Sequence, residues 1–136
     1  VRTTRRIETD YFWRFDPETS TQVTSRPEEV TSSERLRVAC TQTGLPPRQQ
    51  AALVRQWCEV LPALDHVQLL WLESQVPQVL FDAACRMPRL RGLYVKWSNV
   101  TRIDSLCGLE DLHYLHLGSS TRVRSIEVLA KLSRLK

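Results

Sequence analysis

The sequence predicts an α/β solenoid, a stack of short units that each give one strand to a parallel sheet and one helical turn to its other side. Three observations predict it. The pattern apolar-x-x-apolar-x-apolar occurs at residues 67–72, 90–95 and 112–117, starting 23 and 22 residues apart, and a fourth start falls 23 residues on at Leu135. The phase holds between these windows, where Leu80, Ile103 and Ile126 correspond, as do Ala83, Leu106 and Leu129. Ahead of them lies an amphipathic helix, with Leu53, Val54, Trp57, Cys58 and Leu61 at helical spacing behind Pro46-Pro47. A single unit cannot bury its own leucines, so the units must stack.

The windows define the core. Strand side chains alternate, so the fourth and sixth residues of each window face inward: Leu70 and Leu72, Leu93 and Val95, Leu115 and Leu117. The first residue of the window joins them only if the chain bends at the start of the strand.

The pattern resembles the leucine-rich-repeat family, whose unit reads L-x-x-L-x-L-x-x-N/C-x-L over 20–29 residues. The spacer Ile103-x-x-Leu106-x-x-Leu109-x-x-Leu112 is similar to short bacterial, internalin-type units, which carry a tight helical or 3₁₀ turn on the convex side. The resemblance covers about residues 67–136, half the chain, and implies three units with a fourth cut short. It departs from the family at the asparagine position, which falls on Gln75, Ser98 and Ser120. The last apolar position falls on Pro77, Val100 and Arg122, and one inserted residue is expected to move Val123 into that role.

A solenoid has open ends that an atypical cap must cover. Residues 32–66 read as a helical cap. A short helix is expected over 33–40, with Ser32 or Ser33 as N-cap and Gly44 as its stop, and a longer one over 47–61, ended by Pro62. Residues 1–31 read as an extension containing a β-hairpin, with strands at 11–15 and 21–24 around the turn Asp16-Pro17-Glu18-Thr19, followed by a polar linker from Arg26. At the other end the fourth unit stops at Lys136, so a longer natural protein, or self-association through the open last repeat, is expected.

Composition sets the function classes. The chain has 136 residues, 42% of them hydrophobic, with a net charge of +4. Its arginines gather loosely at Arg86, Arg89 and Arg91, with Arg122 and Arg124 further on, but acids are interspersed throughout, which argues against a nucleic-acid surface. No apolar run approaches the roughly 20 residues of a membrane helix, and Glu8 and Asp10 behind the basic start break any targeting pattern. A cytoplasmic, bacterial setting is the expectation. Cys40, Cys58, Cys85 and Cys107 have no metal-ligand spacing and read as reduced thiols.

Residues three, five and seven of each window face away from the core. Position five aligns Trp71, Tyr94 and His116, strand beside strand, about 4.8 Å apart. Large rings on a rigid sheet offer contact area at little entropic cost, so Trp71, Tyr94 and His116 are the candidate anchors for a protein partner, with Glu73, Arg91 and Lys96 as polar selectors and Tyr114, at position three, also on the binding face. The competing reading is that these rings pack on one another or beneath a flanking segment.

Catalysis finds no support: His113 and His116 are three apart in a strand and face opposite ways, Cys107 lies on the far side of the sheet from His116, and no phosphate-binding glycine loop occurs. No catalytic residue, cofactor or metal site is assigned. The expected function is non-catalytic protein–protein recognition on the concave face. The alternatives are a recognition arm of a larger enzyme or effector and, less favoured, base stacking on the same rings with phosphates held by Arg91 and Lys96.

Overall fold

The computed structural model describes residues 23–135. Five strands, β1 (Val23–Thr24), β2 (Arg35–Val38), β3 (Leu69–Val76), β4 (Gly92–Ser98) and β5 (Tyr114–Leu117), form one sheet in sequence order. Every pair is parallel. Parallel neighbours need a crossover between them. All four crossovers carry helical structure: a 3₁₀ turn at Pro27–Glu29 in the first, then elements that shorten along the chain, α1 (Pro47–Val60) with a 3₁₀ turn at Leu61–Ala63, α2 (Gln78–Ala84) and a 3₁₀ turn at Asp104–Gly108. A further 3₁₀ turn, Glu127–Lys131, follows β5. The result is an α/β repeat fold.

The register realises the spacing read from the sequence. Leu70 lies beside Leu93 and Leu93 beside Leu115, and likewise Leu72, Val95 and Leu117. Leu70, Leu72, Leu93 and Val95 are at most 1% exposed, and Trp57, Leu61, Phe81, Ile103 and Leu106 join them from the helical side. Each such side chain contributes about 1.5–3 kcal/mol of burial.

The bend that admits the first window residue has a hydrogen-bond signature. The Glu34 carbonyl accepts from Gln68 N and Leu69 N, that of Gln68 from Arg91 N and Gly92 N, and that of Arg91 from His113 N and Tyr114 N, all at 2.8–3.1 Å. One carbonyl serving two successive amides turns the chain at the same step of each unit. Val67, Leu90 and Leu112 are thereby directed into the core and are fully buried.

Several expectations are corrected. Residues 33–40 do not form a helix. Arg35–Val38 is a strand, paired Leu36 to Leu70 and Val38 to Leu72, with Leu36 and Val38 buried. The alternation Leu36-x-Val38 wins because β3 offers a ready parallel edge, whereas a helix over eight residues is marginal alone. The sheet therefore runs through the segment expected to be a helical cap, with β2 inside it and β1 ahead of it. The first strand and turn of the expected hairpin lie outside the described residues, and Val23–Thr24, within its second strand, pairs parallel with β2. The longer helix runs Pro47–Val60, one residue shorter than expected, and Trp57 Nε1 donates to the Ser25 carbonyl at 2.9 Å.

Beyond Leu72, β3 holds an extra residue: Leu72 faces Val95, but Gln75 faces Trp97 and Val76 faces Ser98. Gln75 and Ser98 are consequently not equivalent, although the 23-residue spacing equates them. Hydroxyls tie neighbouring loops together here. Ser98 Oγ and Ser120 Oγ are 2.7 Å apart, Val100 N donates to Ser98 Oγ, and Thr41 Oγ1 donates to the Gln75 carbonyl.

At the far end, Ile126 is 66% exposed although its counterpart Ile103 is fully buried. No described strand pairs with β5 on that side, so no further unit among the described residues stacks on Ile126. Val123, in contrast, packs on the core while Arg122 and Arg124 are exposed, as the inserted residue implied.

Candidate functional site

The face of the sheet opposite the helices carries the candidate residues in two registered columns. One runs Arg35, Leu69, Gly92, Tyr114 and the other Arg37, Trp71, Tyr94, His116. Sequence reasoning misses Arg35 and Arg37 because their segment reads as helix. The signal that finds them is the fit of Leu36 and Val38 to the fourth and sixth positions of the window.

Tyr94 and His116 stack in parallel, with ring centroids 4.3 Å apart and planes 6° from coplanar. Both are half-buried, and Lys96, two residues along β4, is exposed. Arg37 Nε donates to Glu73 Oε1 at 3.0 Å, their side chains 15% and 17% exposed, so the pair is partly shielded from solvent. Arg91 is half-buried, and its backbone forms part of the bend that opens β4.

Trp71 and Tyr114 are not exposed. At 3% and 6% they form, with Leu69 at 6%, a second apolar cluster separate from the leucine core, and Tyr94 packs against it. The expectation of an open aromatic column is corrected here. Rings on adjacent strands stand close enough to cover one another's flanks, and the bulk of the indole is withdrawn from water. What this face presents is Tyr94, His116 and Lys96, with Trp71 and Tyr114 buried beside them.

The helical side offers less. A depression of about 260 Å³ lies between the Pro27–Glu29 turn and α1, lined by Arg26, Glu28, Leu45 and Leu53 among others. Another of about 210 Å³ is polar, but its groups already satisfy one another: Asp82 Oδ1 accepts from Gln78 Nε2 and Ser105 Oγ, and Asp104 pairs with Arg102. No cluster of three or more His, Cys, Asp or Glu able to hold a metal ion occurs among the described residues.

The four thiols are free, Cys40 and Cys85 buried and Cys107 exposed. Burial pushes the Cys40 thiol up to about 12 from an ordinary 9.0, and raises Cys85 as well, which makes both poor nucleophiles at neutral pH. His113 Nδ1 lies against the Asp111 carbonyl, not beside a cysteine.

Among known proteins, the chain is similar to human leucine-rich repeat-containing protein 56, 32% identical over 78 residues. That match covers 54% of this chain and spans only 14% of the human protein. No protein-family model matches the chain. No solved structure matches it either. The likeness agrees with the repeat read from the sequence and supports a leucine-rich-repeat relationship. No helix among the described residues is long and apolar enough to cross a membrane.

Proposed function

We propose that the chain is a leucine-rich-repeat solenoid, headed by a cap around α1, that recognises a partner protein on the sheet face opposite its helices. The observation that carries this reading is the Tyr94–His116 stack, half-buried and bordered by the exposed Lys96. Two rings held parallel by adjacent strands are already ordered, so a partner that packs on them loses little side-chain entropy. Glu73, Lys96 and Arg91 supply charge of both signs around the rings, which favours a protein over a phosphate backbone. Trp71 and Tyr114, buried on the same face, pack beside Tyr94 and help to fix its ring. The similarity to a leucine-rich-repeat protein fits a binding role without catalysis.

The test is a pull-down with the intact chain beside a Tyr94→Ala/Lys96→Glu variant whose cooperative melting shows that it folds. A protein retained by the first and lost by the second is the expected result. Equal retention by both baits, or none by either, removes the reading.

A further inference from the structure

We propose that Ser125 is a phosphorylation site for an arginine-directed serine kinase. Among the described residues two serines carry an arginine three residues ahead of them, Ser105 behind Arg102 and Ser125 behind Arg122. The sequence alone does not choose between the two. Their surroundings do.

Ser105 sits half-buried inside the 3₁₀ turn Asp104–Gly108, and its hydroxyl donates to Asp82 Oδ1 at 2.8 Å. A phosphate there would stand against the carboxylates of Asp82 and Asp104, like charge beside like charge. Ser125 lies in a stretch, residues 123–126, that is neither helix nor strand, and Arg122, Arg124, Ser125 and Ile126 are all exposed. Its oxygen accepts from Glu127 N at 3.3 Å, and no described residue takes its proton. Two contacts hold the stretch down: Val123 packs on the core, and Arg124 N donates to the Thr101 carbonyl at 3.1 Å. No further described strand pairs beyond β5, so lifting this stretch into a kinase cleft costs less than opening a unit held on both sides.

The neighbours supply the recognition chemistry. The guanidinium groups of Arg122 and Arg124 suit charge-assisted, bidentate hydrogen bonds to kinase carboxylates. Ile126, 66% exposed, offers an apolar contact directly after the acceptor serine. In the transfer, the Ser125 oxygen bonds to the γ-phosphorus of magnesium ATP, the bridging bond between the β- and γ-phosphates breaks, ADP leaves, and the hydroxyl proton passes to the kinase's base. The product carries about −1.5 to −2 charge at neutral pH, which offsets Arg122 and Arg124 on this edge. None of these residues belongs to the outer face of the sheet, so the modification is independent of a partner bound there.

The test incubates the purified, folded full-length chain with magnesium ATP and the catalytic subunit of the cyclic-AMP-dependent kinase, beside Ser125→Ala and Arg122→Ala variants that melt cooperatively. Mass spectrometry of the intact chain and its peptides reads the site and the initial rate. The expected result is a phosphoryl group on Ser125 and none on Ser105, with the rate at Ser125 lower by about tenfold or more in Arg122→Ala. No phosphate on Ser125, phosphate on Ser105 in its place, or an undiminished rate in Arg122→Ala overturns the proposal.

Discussion

The two faces of the sheet are made by the same strands and obey opposite rules. On the helical side, Leu70, Leu72, Leu93 and Val95 meet layers of apolar residues from α1, α2 and the 3₁₀ turns, where similar side chains recur at each unit and exclude water together. On the other side nothing recurs. Arg37, Trp71, Tyr94 and His116 stand in one column, and an arginine, an indole, a phenol and an imidazole share only their register. Repetition suits a core, where each unit answers the same requirement of packing. A non-repeating column suits recognition, where each position meets a different part of something else. The difference locates repeated packing on one face and, on the proposed function, specificity on the other.

Substitutions separate the two roles, and the largest effect belongs to the core. Leu93→Ala, at a fully buried site between two other strands, is expected to cost about 2–5 kcal/mol in urea unfolding, because the neighbours collapse only partly into the space. A loss under about 1 kcal/mol there would deny that the leucine rows hold the stack. Gly118→Ala should cost about 1–3 kcal/mol, since the new methyl would run into the Lys96 carbonyl and force the end of β5 away from β4.

Alkali sharpens the comparison through the thiols. Cys40 is pushed up to about 12 in the folded chain and ionises near 9.0 once unfolded, and Cys85 is raised in the same sense. Between those values the unfolded state binds fewer protons, so stability is full below about pH 9 and falls as pH rises through the folded value. The urea midpoint should be lower at about pH 10.5 than at about pH 8, and the drop should shrink in Cys40→Ala. An equal drop in that variant would remove the thiol from the account.

The outer face is expected to respond least. Breaking the Arg37–Glu73 pair should show a coupling of about 1 kcal/mol or less in a double-mutant cycle, given its partial exposure. Lys96→Ala should leave stability within about 0.5 kcal/mol. A larger loss at Lys96 would mark it as structural and blur the division between faces.

The repeat is legible in the sequence because its physics is periodic. Leu70, Leu93 and Leu115 are neighbours in space for the same reason that they stand 23 and 22 residues apart. The strand at Arg35–Val38 is not legible as one, because four residues with serine, glutamate and arginine around them suit a short helix equally well. Only the edge of β3 decides between the two. The extra residue in β3 is hidden for a related reason: a one-residue bulge leaves the 23-residue spacing intact and shifts only the part of the strand beyond Leu72. Of the site, the column and its order are readable from alternation. The burial of Trp71 and Tyr114 is not, since spacing gives the face on which a side chain stands and not how far its neighbours enclose it.

The most direct test of the division between faces places a photo-crosslinking residue at Lys96, on the outer face, or at Arg55, exposed on α1, in otherwise intact chains added to a lysate of the source cells. The predicted result is one discrete adduct from position 96 that disappears in a Tyr94→Ala/His116→Ala background and does not form from position 55. The same adduct from both positions, or none from position 96, would contradict that division.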